Sequence, residues 1–152
     1  MVAEDKRQYN ILIADDDSDD RQMIKEAFEE NNFSSNFYFV EDGEDLVDYL
    51  NCKGKYQNDK ADRHLDLILL DLNMPKKDGR EALREIKSDP ELKSIPIIVM
   101  TTSKLKDDVV KSYNMGVNCF ISKPTTYSEL IEVTRSIIKY WFEIAQLPCS
   151  IN

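Results

Sequence analysis

"DLILLDLNMPKKDG", residues 66–79, sets a run of strand-like residues directly in front of an aspartate, then breaks the chain with Pro75 and Gly79. An apolar run without alternation suits a central parallel strand covered on both faces. "PIIVM" (96–100) has the same character, and "YNILIA" (9–14), "NFYFVE" (36–41) and "VNCFIS" (117–122) supply three more short strands. Between them, residues recur at helical spacing: Met23, Ile24, Ala27 and Phe28; Leu46, Val47, Tyr49 and Leu50; Ala82, Leu83 and Ile86; Val109, Val110 and Tyr113. A last helix is predicted from near Thr126 to about Gln146. The polar segment "NCKGKYQNDKADRH" (51–64) reads as an exposed loop.

Five βα units in succession predict an α/β fold: a doubly wound, five-stranded parallel sheet with helices on both faces, flavodoxin-like in its 2-1-3-4-5 order. Right-handed crossovers bring every strand's C-terminal end to one edge, where such sheets bind their ligands.

The length of 152 residues suits one domain. A net charge of −9 argues against nucleic acid, whose phosphates would repel the chain. Cys52, Cys119 and Cys149 form no CxxC and read as reduced thiols of a cytoplasmic protein. The opening "MVAEDKRQYN" lacks the apolar core of a signal peptide, and no apolar run approaches membrane-spanning length. A soluble protein with no membrane partner is expected.

At the ligand edge, "ILIADDD" ends the first strand on Asp15, Asp16 and Asp17, and "DLILLD" ends the neighbouring third strand on Asp71. Two carboxylates about 5 Å apart repel by roughly 3 kcal/mol at an effective dielectric near 20. A hard divalent cation relieves that repulsion, and Mg²⁺ does so with only one or two carboxylates. Asp17, Ser18, Asp19 and Asp20 also suit a solvated helix start, where capping and the helix dipole favour them. For Asp15 and Asp16 the two readings balance until Asp71, which has no helix to cap, tips them towards a metal.

The fourth strand ends on Thr101 and the fifth on Lys123. Either residue alone is ordinary at a strand end. Together, a carboxylate nucleophile, an acid pair for a metal, a hydroxyl and an ammonium group form a set suited to phosphoryl transfer onto Asp71.

In "DD" after the first strand, "DLNMPKKDG" after the third, Thr101, and Lys123–Pro124, the chain resembles the receiver domain of two-component response regulators over roughly residues 8–140. The resemblance implies Asp71 as phosphoacceptor and Asp16 as direct Mg²⁺ ligand. Asp15 would hold the metal partly through water, and Asn73 through its backbone carbonyl. Thr101 and Lys123 would contact the phosphoryl oxygens. It also implies a cis Lys123–Pro124 bond, X-Pro being where cis is inexpensive. Phe120 stands at the family's switch aromatic position beside Thr101. A ring without a hydroxyl could switch only through packing, and a plain core role suits it equally. Thr102 would narrow the pocket entrance, with Asn73 and Ser103 flanking it and influencing hydrolysis.

The long 51–64 segment and the tail "YWFEIAQLP" (140–148) resemble the small single-domain regulators that accompany bacterial phytochromes. This implies a sensor histidine kinase, of phytochrome type, as phosphoryl donor. The whole chain 1–152 then reads as one receiver domain, with its core at about 8–140 and a helical extension and tail at about 140–152. With no output domain, it would signal by protein contact.

On the last helix, Leu130, Val133, Ile137, Tyr140, Trp141 and Ile144 form one apolar stripe, and Ile131, Ile138, Phe142 and Ala145 an adjoining one. Together they span about 200°, where packing on one side of a sheet needs roughly 100°. The surplus predicts a homodimer through this helix and its tail; the other expectation is a tail folded back over its own domain. His64, in the predicted loop, reads as plain surface.

Two other functional classes compete. An aspartyl-phosphate phosphatase of the haloacid dehalogenase type would carry a DxD pair with its nucleophile after the first strand; here the acids are adjacent and the lone acceptor sits on the third. A degenerate receiver serving purely as a binding module would not need the full acid, Thr and Lys set. No GxGxxG or GxxxxGK supports nucleotide binding.

Overall fold

A computed structural model describes residues 8–57, 64–103 and 105–148. Five parallel strands lie in the order β2-β1-β3-β4-β5, as expected: β1 Tyr9–Ala14, β2 Ser35–Val40, β3 Leu67–Leu70, β4 Ile97–Thr101 and β5 Cys119–Ser122. The helices are α1 Ser18–Glu30, α2 Gly43–Asn51, α3 Gly79–Ser88, α4 Lys106–Asn114 and α5 Tyr127–Ile137.

Alternation along β1 divides the core in two. Leu12 and Ala14 face Leu46 of α2 and Ala82, Leu83 and Ile86 of α3. Ile11 and Ile13 face Ile24, Ala27 and Phe28 of α1 and Leu130 and Ile137 of α5. β3 and β4 are buried on both faces, which is why their sequences lack alternation.

Asp17 caps α1 and Asp78 caps α3, each carboxylate accepting two backbone N–H bonds from the first turn. The chain between β3 and α3 is held tightly at its far end. The Gly79 N–H donates to the Leu72 carbonyl at 2.9 Å. A Cβ at position 79 would collide with the Asp71 carbonyl and come within 2.6 Å of Leu72 Cα. Gly79→Ala is therefore expected to destabilise the fold by about 3 kcal/mol, the scale of severe backbone overpacking. Urea denaturation measures this.

Two helices depart from expectation. Met23 of α1 is exposed although its spacing suggests the core. In α4 the buried residues are Asp108 and Ser112, while Val110 and Tyr113 stay 52% and 49% exposed. α4 turns a polar face inward because Asp108 has a fixed cationic partner on α3.

The last helix is α-helical only to Ile137. From Ile138 to Ile144 it widens into a π-helix, with the Ala145 N–H donating to the Tyr140 carbonyl at 2.7 Å. The wider turn re-aims the side chains. Phe142 is buried with its ring 4.4 Å from Tyr9 and 5.0 Å from Phe33, and the Tyr9 hydroxyl donates to the Phe142 carbonyl. Leu147 is buried too, so part of the tail does fold back on its own domain. Tyr140 and Ile144 remain exposed and Trp141 half-buried.

In the 51–64 segment, a 3₁₀ turn over Gly54–Tyr56 packs against α2, and the Tyr56 hydroxyl donates to Asp45 Oδ1 at 2.8 Å. The segment is thus partly tied down. His64 is exposed, as expected. Among the described residues, Cys52 and Cys119 are free thiols, and no helix is long and apolar enough to cross a membrane. Cys149 lies outside the described residues.

Candidate functional site

The C-terminal ends of β1, β3, β4 and β5 meet as the topology requires. Asp15, one residue beyond β1, is 2% exposed, and Asp71, one residue beyond β3, is 6% exposed. Parallel pairing continues just past the strands: the Asp71 N–H donates to the Ala14 carbonyl at 2.9 Å, and the Asp15 N–H to the Val40 carbonyl at 3.1 Å. That pairing sets both carboxylates at the same height on the edge. One carboxylate oxygen from each of Asp15, Asp16 and Asp71 lies within 4.8 Å of the others, with Asp16 exposed.

The two remaining strand ends supply the other expected groups. The Thr101 hydroxyl donates to Asp71 Oδ1 at 2.8 Å. Lys123 Nζ donates to Asp15 Oδ2 at 2.7 Å, Asp20 Oδ2 at 2.8 Å and Asp71 Oδ2 at 3.2 Å. Asn73 donates its backbone N–H to Asp71 Oδ1 at 3.0 Å and its side-chain amide to Thr101 Oγ1 at 3.4 Å. Asp71 thus accepts three donors on two oxygens, which fixes the carboxylate plane.

The Lys123–Pro124 bond is trans, against the cis expectation. The lysine reaches the site without cis geometry because its backbone N–H donates to the Thr101 carbonyl at 2.8 Å. This bond extends the β4–β5 ladder by one residue and directs the side chain inward. The two isomers differ by only about 0.5–1 kcal/mol in a free X-Pro bond, so local packing decides.

Asp20 is the site residue that sequence reasoning missed. It suits a capped helix start, yet its carboxylate is one of the two nearest partners of Lys123. The available signal was its place in the first turn of α1, beside the end of β1 that carries Asp15 and Asp16.

Burial raises the Asp15 carboxyl above its ordinary value, against the opposing hydrogen bonds from Lys123 and the Asp17 N–H. Burial by itself would lower the Lys123 ammonium, but its hydrogen bonds to Asp15 and Asp20 hold it well above the ordinary range. Lys123 therefore stays charged. One ammonium bonds Asp15, Asp20 and Asp71, with the exposed Asp16 completing the acid cluster, and this surplus of acid fits a divalent cation with oxygen ligands.

Phe120 is half-buried against the core on the α2–α3 side, and its backbone N–H donates to the Tyr113 hydroxyl at 3.2 Å. Thr102 is exposed. The Ser103 hydroxyl donates to Asp108 Oδ2.

An aspartate at a parallel strand end, flanked by an acid pair, a hydroxyl and an ammonium group on neighbouring strand ends, defines a phosphoacceptor domain of signalling type. Residues 11–135 match the family described as the response regulator receiver domain, and the chain belongs to that family. It is 38% identical over 140 residues to the response regulator Rcp1 of Synechocystis sp., covering 92% of this chain and 93% of Rcp1. The crystal structure of the phosphorylated cyanobacterial phytochrome response regulator RcpA is similar at a TM-score of 0.85 and 42% identity, covering 93% of this chain and 99% of that one. The Mn²⁺-bound form of Rcp1 gives a TM-score of 0.83 at 38% identity, covering 92% and 99%. The chain is a receiver domain of two-component signalling.

Proposed function

We propose that Asp71 accepts a phosphoryl group from the phosphohistidine of a sensor histidine kinase, and that the resulting aspartyl phosphate is the signal. The supporting observation is that Lys123 and Thr101 both bond Asp71 beside the Asp15–Asp16–Asp71 cluster. Attack by an Asp71 oxygen forms a P–O bond as the P–N bond to histidine breaks, and the imidazole leaves with the bonding pair. Lys123 neutralises charge on one phosphoryl oxygen, and the Thr101 hydroxyl turns from Asp71 to donate to another. Asp15, Asp16, Asp71 and the Asn73 backbone carbonyl would hold Mg²⁺. The ion supplies charge stabilisation on the phosphoryl oxygens. As Thr101 is drawn in, the half-buried Phe120 ring follows by packing.

The likeness to RcpA supports a phytochrome-type histidine kinase as the donor, and a cytoplasmic location goes with such a partner. Labelled phosphoryl transfer from autophosphorylated phytochrome-type and unrelated histidine kinases tests this. Faster transfer from the first is expected; equal rates would remove the phytochrome assignment.

The chain does not act as a turnover enzyme; its only chemistry is acquiring and losing its own phosphoryl group. A generic phosphate ester with Mg²⁺ should give no multiple turnover, whereas steady turnover would favour the phosphatase alternative. It functions as one receiver domain over 1–152 that signals by contact.

Exposed Tyr140 and Ile144 beside half-buried Trp141 support a homodimer through the last helix and tail. Light scattering on the eluting peak should give a dimer at tens of micromolar, and Ile144→Glu should shift it at least tenfold towards monomer. A wild-type monomer in both unmodified and phosphorylated forms would end the dimer reading.

A further inference from the structure

α4 buries a carboxylate where its own sequence offers apolar residues. Asp108 is 7% exposed, and an unpaired carboxylate there would be costly. It is paired: Arg80, in the first turn of α3, donates Nε to Oδ1 at 2.7 Å and Nη2 to Oδ2 at 2.6 Å, a two-pronged contact. The Ser103 hydroxyl, in the β4–α4 loop, donates to Oδ2 at 2.5 Å. The guanidinium beside Asp108 holds its carboxyl down at about 2, so the pair stays ionised throughout the neutral range.

This half-buried pair is connected to the reaction. The Ser103 N–H donates to Thr101 Oγ1 at 3.4 Å. The same oxygen receives the Asn73 amide at 3.4 Å and directs its own proton to Asp71 at 2.8 Å. A chain of hydrogen bonds therefore runs from Arg80 through Asp108 and Ser103 to the hydroxyl that meets the phosphoryl group. Its anchor, Arg80, sits on the helix that begins immediately after the phosphoacceptor loop, so both ends of the chain refer to one rigid unit.

We infer that Arg80, Asp108 and Ser103 are positioning residues that hold the Thr101 hydroxyl in place to receive a phosphoryl oxygen. The pair does more than fasten α4 to α3: it fixes the backbone two residues beyond Thr101 and so limits where that hydroxyl can point. Orientation of this kind favours binding of the phosphoryl group and leaves the carboxylates that hold the metal untouched.

The test rests on the phosphoryl chemistry proposed above and uses the full chain with Mg²⁺ and beryllofluoride, whose beryllium stands for the phosphorus of a bound phosphoryl group. Calorimetric titration should show Ser103→Ala and Asp108→Asn binding beryllofluoride about tenfold more weakly than wild type, the scale of one lost hydrogen bond to a charged group. Their Mg²⁺ affinity, measured without beryllofluoride, should stay at the wild-type value. In a Thr101→Ala background both substitutions should lose their effect, because the group they position is gone. A purely structural pair would instead give the same loss with or without Thr101. Equal losses in the two backgrounds, a matching loss of Mg²⁺ affinity, or unchanged beryllofluoride binding would each overturn the inference. Ser103→Ala removes only a hydroxyl, so the test survives if Asp108→Asn does not fold. A wild-type protein that binds no beryllofluoride overturns the proposed function itself; wild-type binding with unaltered variants overturns only the positioning chain.

Discussion

Asp71→Asn is expected to fold as wild type does and to take up no phosphoryl group from acetyl phosphate and Mg²⁺. The amide is nearly isosteric with the carboxylate, and its oxygen can still accept the hydrogen bonds that Thr101 or Asn73 now give to Asp71 Oδ1. What disappears is the nucleophile and one negative charge of the metal cluster. Loss of uptake should be complete, since neither Asp15 nor Asp16 receives the Thr101 hydroxyl that steadies the attacking group. Beryllofluoride should raise the melting temperature of the wild type and leave that of Asp71→Asn unchanged. A variant that still gains phosphoryl mass at the wild-type rate would move the acceptor elsewhere.

Lys123→Ala should have two effects of opposite dependence on metal. Lys123 is the cation that bonds Asp15, Asp20 and Asp71, and removing it leaves those carboxylates facing one another. Breaking a largely buried ion pair by deleting one partner costs about 3–5 kcal/mol, so the metal-free variant should be markedly less stable. Divalent cation then does what the ammonium did, and Mg²⁺ should stabilise the variant more than it stabilises wild type. Phosphoryl uptake should nonetheless fall by about 10²–10³-fold even at saturating Mg²⁺, because no group replaces the ammonium on the phosphoryl oxygen. Thermal melts with and without Mg²⁺, together with uptake rates from acetyl phosphate, read the two effects separately. Equal stabilisation of variant and wild type by Mg²⁺ would show that Lys123 and the cation do not compete for the same carboxylates.

Much of this arrangement was legible beforehand because it depends on strand ends. β1 lies where "YNILIA" put it, and Asp15, Asp71, Thr101 and Lys123 converge because parallel topology leaves their strands no other edge. What could not be read depended on pairings across elements. Periodicity put Val110 and Tyr113 of α4 inward, and the Arg80–Asp108 pair reversed that choice. Asp20 looked like one more acid at a helix start, since nothing local announces a lysine more than a hundred positions away. The apolar stripes of the last helix assumed 3.6 residues per turn. The π-turn after Ile137 breaks that assumption, burying Phe142 and exposing Tyr140 and Ile144. In the 51–64 segment, composition announced a loop but not the Tyr56–Asp45 bond that fastens it to α2.

In the proposed function one carboxylate, Asp71, accepts the phosphoryl group inside a metal-dependent pocket. Reductive trapping of the acyl phosphate with borohydride, followed by peptide mass mapping, locates the modified residue directly. A single trapped site at Asp71, lost when Mg²⁺ is chelated, is the predicted result. Modification at another residue, or at Asp71 to the same extent without divalent cation, would contradict it.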